Sequence, residues 1–204
     1  MIQGDSYFTI SKPGEGAYKE KGSKFLAFAL PVKDEDEIKA HLDILRKNYY
    51  DARHHCYAYI LDPDGNRFRA NDDGEPVHSA GNPILGQIRS KGLTNVLVIV
   101  VRYFGGTKLG VSGLINAYKT AALEALENAG QKKVDILQKV KIQFNYDLTS
   151  EIMALVRDMS IVDQKFTDIC VLEVAVNMRM LDALLSNLRV MIDKEKPVEF
   201  ELIK

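Results

Sequence analysis

Residues 96–101 read Val-Leu-Val-Ile-Val-Val, an unbroken apolar run. It is far too short to cross a bilayer, which takes about 20 residues. With Asn95 before it and Arg-Tyr-Phe-Gly-Gly after it, the run predicts a strand over 95–104 with both faces buried. Four glycines follow, Gly105, Gly106, Gly110 and Gly113, and then a helical stripe of Leu114, Tyr118, Ala121, Ala122, Ala125 and Ala129 closed by Gly130. Glycines between a strand and a helix either form a tight turn or let backbone N–H groups converge on an anion.

Around this unit the pattern alternates between periods of two and of 3.6. A short strand is expected over 6–10 and a longer one over 14–32. Residues 34–50 open with acids and end with Arg46-Lys47, and Ile38, Leu42 and Leu45 share a face, so they predict a helix. A strand over 55–61, turn chemistry over 62–65 and a return strand over 66–70 make a hairpin. A loop over 71–76 leads to a helix capped by Ser79 or Asn82 and stopped near Gly92. Composition shifts at Gln131-Lys132-Lys133, which divides the chain into domains 1–132 and 133–204. The second half predicts a strand over 134–146 and a helix over 148–159 capped by Thr149 or Ser150. Strands over 161–166 and 169–177, a helix over 181–191 and a strand over 198–203 follow. That order, β-α-β-β-α-β, is the ferredoxin-like split-βαβ order. The expected class is α+β in two domains.

The 204 residues carry a net charge of -1 and are 46% hydrophobic, ordinary for a soluble globular chain. No global basicity announces nucleic acid, so any such binding needs a local patch. One stretch is one-signed. From 76 to 123 there is no acid, while Arg89, Lys91, Arg102, Lys108 and Lys119 are basic. Cys56 and Cys170 lie far apart without metal spacing, consistent with reduced thiols. The opening residues, MIQGDSYFTI, lack the basic and apolar regions of a secretory leader. The expected location is the cytoplasm, with no membrane partner, no cofactor, no metal and no DNA specificity.

Three blocks, HHCYAYIL, DDGEPVHSAGNPIL and NVLVIVVRYFGGTKLGVSGLINAY, resemble in order and spacing the signatures of the IMPACT family. EKGSKFLAF and the second half extend the resemblance over nearly the whole chain. It implies an N-terminal β-α-β fold like the second domain of a small-subunit ribosomal protein. It also implies a C-terminal domain similar to the last domain of elongation factor G. Eukaryotic members act in translational control under amino-acid stress by binding a ribosome-associated activator of a kinase. The family usually has glycine and threonine where this chain has His78 and Ser79, and glycine and a basic residue where it has Ser112 and Asn116.

Two constellations follow. Arg102, Gly105, Gly106, Lys108, Gly110, Ser112 and Lys119 are the candidates for binding nucleic acid or another anion. The spacing is not that of a P-loop, because Lys108 precedes Gly110. His54, Asp72, Asp73 and Glu75, with His55, Cys56 and His78 nearby, are candidates for catalysis or metal binding. On a strand His54 and Cys56 face one side and His55 the other, so all three cannot join one site. Tyr57, Tyr59, Phe68, Tyr103 and Phe104 are aromatics for either the core or base stacking. The leading expectation is a translation-associated regulator that binds RNA or a ribosomal surface through the RYFGG and DDGEP loops. The alternatives are a hydrolase acting on a small phosphorylated or peptide-like substrate, and a protein-interaction module.

Overall fold

The structure, a computed structural model, describes residues 4–203; residues 1–3 of the N-terminal stretch and Lys204 lie outside them. The chain divides into two compact units, Met1–Val134 and Asp135–Lys204. The class is α+β, with helices packed on antiparallel sheets.

The first unit contains β1 (Ser6–Ile10), β2 (Gly14–Glu20), β3 (Ser23–Pro31), α1 (Glu35–Asn48), β4 (His54–Leu61) and β5 (Arg67–Asn71). It continues with α2 (Gly81–Ser90), β6 (Val96–Tyr103), α3 (Gly110–Ala129) and β7 (Gln131–Asp135). Five strands form one sheet in the order β2-β3-β6-β4-β5, all antiparallel. The apolar run is its central strand, β6. Val96, Val98 and Val100 join the core beneath α2 and α3, while Leu97, Ile99 and Val101 join a second core with Ile38, Leu42 and Leu45 of α1. That two-sided burial is what an unbroken apolar strand requires.

The expected long strand over 14–32 is a hairpin instead. Lys21 and Gly22 both have positive φ, 46° and 78°, the geometry of a two-residue turn that matches strand twist. The expected strand over 134–146 is also divided. β7 pairs with β1, whereas β8 (Leu137–Asn145) pairs with β10 and β11, so the chain changes sheets at Ile136. The unit boundary therefore falls two residues after the sequence expectation of 132.

Helix α3 lies directly on the edge strand β2. A Cβ at Gly14 would meet Ala125 O at 2.3 Å, and one at Gly16 would meet Ala125 N at 2.5 Å. The alanine stripe of α3 thus fits against the two glycines of β2. The same helix occupies the free side of β2. Ala17 N–H donates to the Glu124 carboxylate at 3.0 Å, and the Asn128 amide donates to Glu15 O at 2.7 Å. These side chains answer an edge that otherwise leaves backbone groups open to pairing.

The second unit runs β8, a 3-10 turn (Tyr146–Leu148), α4 (Thr149–Leu155), β9 (Ser160–Lys165), β10 (Ile169–Asn177), α5 (Met178–Asp193) and β11 (Val198–Ile203). Its sheet has the order β11-β8-β10-β9. α4 is shorter than the sequence suggests and no side chain caps it; Thr149 donates its hydroxyl back to Tyr146 O at 2.5 Å. Val140, Ile142, Phe144, Leu172, Val174 and Val176 face the core that α4 and α5 cover. Among the described residues no helix is long and apolar enough to cross a membrane.

Gly16→Ala drives a methyl into the α3 backbone. It should destabilise the protein by about 2–3 kcal/mol, measured as a shift in urea midpoint at constant slope.

Candidate functional site

Strand register decides which loops meet. His54 pairs with Arg102 and Lys24 with Tyr103. The β2–β3 turn, the start of β4, the loop after β5 and the loop after β6 therefore share one end of the sheet.

The loop after β5 is built by its acids. Asp72 Oδ1 accepts from Ala80 N–H at 2.9 Å and Gly81 N–H at 2.8 Å, and Oδ2 accepts from His78 N–H at 2.8 Å. Neither Ser79 nor Asn82 caps α2. Its N-cap is Ala80, which has no capping side chain, and Asp72 satisfies the open amides from a distance. Ser79 donates its hydroxyl to Pro76 O at 2.6 Å. His78 sits at φ 64°, a conformation glycine adopts without strain, which explains the glycine usual in the resembling family at this position.

Asp73 accepts from His55 N–H at 2.6 Å and lies 3.9 Å from Arg46. His54 Nδ1 is 2.8 Å from Asp73 O. Glu75 turns inward. Its Oε1 accepts from Arg102 Nη1 at 2.6 Å and from Tyr118 OH at 2.7 Å. Cys56 Sγ donates to Tyr118 OH at 3.3 Å, and also lies 3.0 Å from Asp72 O. Burial pushes the Tyr118 hydroxyl far up, with Cys56 and then Glu75 adding to it. Burial likewise pushes the Cys56 thiol up, opposed by its hydrogen bond to Tyr118. Both groups stay protonated, as donors to a carboxylate network should, and a protonated thiol is a poor nucleophile.

The candidate catalytic residues are therefore neighbours, and each spends at least one polar atom on holding the loop. They also diverge. Cys56 points to the α3 side, His54 faces the Asp73 carbonyl, and His55 lies buried beside α1. Among the described residues no group of three or more such side chains is placed to hold a metal ion.

Arg102 does not stand in the loop as a surface cation, contrary to the sequence expectation. It is 7% exposed, paired with Glu75, and lies 5.5 Å from the Phe25 ring and 5.7 Å from the Phe104 ring. The one-signed stretch is further neutralised by Lys91, which pairs with Glu127 at 2.9 Å. Arg89 stacks 4.2 Å from the Phe68 ring. Lys108 and Lys119 remain exposed without ion pairs among the described residues.

The glycines divide by cause. Gly105 touches the β2–β3 turn, where a Cβ would meet Gly22 C at 1.9 Å, and its N–H donates to Ser23 Oγ at 3.1 Å. Gly106 and Gly110 have φ of 87° and 74°. Ser112 lies exposed in the first turn of α3, which has neither an acid nor a side-chain cap. Of the aromatics, Tyr57 and Tyr59 are core, Tyr103 donates to Asp51 at 2.7 Å, and Phe104 is 54% exposed.

The contact between Gly105 and Gly22 brings in residues that the sequence did not single out. Lys21, Lys24 and Arg53 are exposed at the same end of the sheet as Lys108, and none makes an ion pair among the described residues. They come from separate segments, which only the register joins. The Lys21-Gly22 turn signal was the available clue.

The Impact N-terminal domain model matches residues 21–126. IMPACT family member YigZ of Escherichia coli is 31% identical over 175 residues, covering 84% of this chain and 86% of that one. IMPACT family member YvyE of Bacillus subtilis is 37% identical over 125 residues, covering 61% of this chain. An IMPACT family member of Thermus thermophilus is 45% identical over 122 residues, covering 60% of this chain. These last two matches span 58% and 64% of the relatives' own lengths. A crystal structure of a hypothetical protein superposes with a TM-score of 0.74 at 26% identity, covering 98% of each chain. The chain belongs to the IMPACT family.

Two predictions test this account. Glu75→Leu leaves Arg102 buried and unpaired and should cost about 3–5 kcal/mol, whereas adding Arg102→Met should recover most of that loss; urea unfolding measures both. His55 is 6% exposed and its Nε2 has no partner. Burial lowers its pKa from 6.5, with Asp73 opposing and Arg46 reinforcing. The folded ring stays neutral where the unfolded ring takes up a proton. Stability should therefore fall as pH drops from about 6.5 to the lower folded value, and His55→Gln should flatten that part of the pH profile.

Proposed function

We propose that the first unit binds single-stranded RNA, free or on a ribosomal surface, through the end of the sheet where Lys21, Lys24, Arg53 and Lys108 converge. One observation carries this reading: the acids of the loop after β5 are hydrogen-bonded within the fold, while these cations make no ion pair among the described residues. Glu75 is held by Arg102 and Tyr118, Asp72 by three amides, and Asp73 by His55 N–H. Lys21, Lys24, Arg53 and Lys108 give that end a set of exposed cations although the chain is not basic.

Exposed Phe104 beside the cations supplies a stacking face, the usual companion of a basic groove on single strands. The open first turn of α3, with Ser112, adds backbone donors suited to phosphate. The ribosomal-protein-like fold proposed for this unit and the ferredoxin-like, elongation-factor-like fold proposed for the second are in keeping with a cytoplasmic, translation-associated regulator. The hydrolase alternative finds less support, since the polar atoms of Asp72, Asp73 and Glu75 are used in structure.

The test is anisotropy of a labelled single-stranded RNA across a salt series. Lys24→Glu with Lys108→Glu should weaken binding at least tenfold and reduce the salt slope by about 1.4, two phosphate contacts' worth. Phe104→Ala should weaken binding by about 1–3 kcal/mol without changing the slope. Unchanged affinity and slope in a folded double variant would exclude this face.

A further inference from the structure

Strand β9 is an open edge of the second unit's sheet. Among the described residues it pairs only with β10, and each of its residues is exposed. Val162 is 49% exposed, and Phe166, just beyond the strand, is 40% exposed. An exposed edge carrying apolar side chains is a template for another strand. A bulge between Glu173 and Val174 interrupts the β9–β10 register next to Val162; such irregularities often guard an edge, but here residues 163–165 remain in regular register.

The sequence Val162-Asp163-Gln164-Lys165-Phe166 complements itself when run antiparallel about Gln164. Asp163 then faces Lys165 of the other copy, and Val162 faces Phe166. A second feature asks for the same neighbour. The register sets Glu201 beside Lys141, Lys141 beside Glu173, and Glu173 beside Asp163. Lys141 pairs with Glu201 at 3.0 Å. The row ends at the open edge with two adjacent carboxylates, an unfavourable cross-strand pair. Among the described residues Asp163 and Lys165 make no ion pair; the Asp163 carboxylate accepts only from Gln164 N–H, at 2.9 Å. A lysine entering beside Asp163 would offset the paired carboxylates, and Lys165 of a second copy is the residue that antiparallel symmetry delivers.

We infer that two copies of this chain associate through β9, edge to edge and antiparallel about Gln164, so that their four-stranded sheets become continuous. The interface is isologous, as a two-fold dimer requires.

Sedimentation equilibrium of the full chain from about 1 to about 500 µM tests this. The protein should dimerise reversibly in that range. Asp163→Lys and Lys165→Asp should each weaken dimerisation about tenfold or more, because each sets like charges opposite one another twice. An equimolar mixture of the two variants should regain association, as should the double swap in one chain. Asp163→Lys also removes the clash with Glu173, so its monomer should melt no lower than the parent; a misfolded variant would melt lower. A monomer throughout the range, swaps without effect on a dimer, or a mixture that fails to associate would each overturn the proposal.

Discussion

The ion pair between Arg102 and Glu75, completed by the Tyr118 hydroxyl, ties together three elements. Arg102 comes from the central strand, Glu75 from an irregular loop, and Tyr118 from the long helix. Two charges out of water are costly unless their geometry is complete. That condition makes the surrounding loop exact in its demands. The amides locked by Asp72 place Glu75, and the T-shaped contact of Phe25 with Tyr118, 5.0 Å between centroids, places the hydroxyl.

The same arrangement sorts charge by direction. Carboxylates in the loop after β5 spend their hydrogen bonds on backbone amides, an arginine and a tyrosine. The lysines and the arginine around them have no such partners. A chain of nearly zero net charge thereby gathers exposed cations from separate segments at one end of a sheet. Arg102, one of the candidate cations in the sequence, is the one taken inside.

What the sequence reveals here follows from which interactions are local. The buried strand β6, the helix stripe of α3, the Asp34 start of α1 and the limits of β10 and β11 rest on periodicity and nearby residues, and they are legible. The two-residue turn at Lys21-Gly22 is hidden in the sequence because the apolar alternation continues on both sides of it. The cap of α2 escapes a local reading because its acceptor, the Asp72 carboxylate, lies eight residues before Ala80. Arg102 and Glu75, 27 residues apart, form a pair that composition cannot distinguish from two solvated charges. The cluster of Lys21, Lys24, Arg53 and Lys108 exists only once four strands are in register.

The occupied side of β2 has a consequence for growth by strand addition. Glu124 and Asn128 of α3 already hold backbone groups that an incoming strand would need. A filament built through a sheet requires two receptive edges in every subunit. The five-stranded sheet has at most one, along β5. It could terminate such a filament but not propagate it, so the helix that completes the core also acts as a chain stopper.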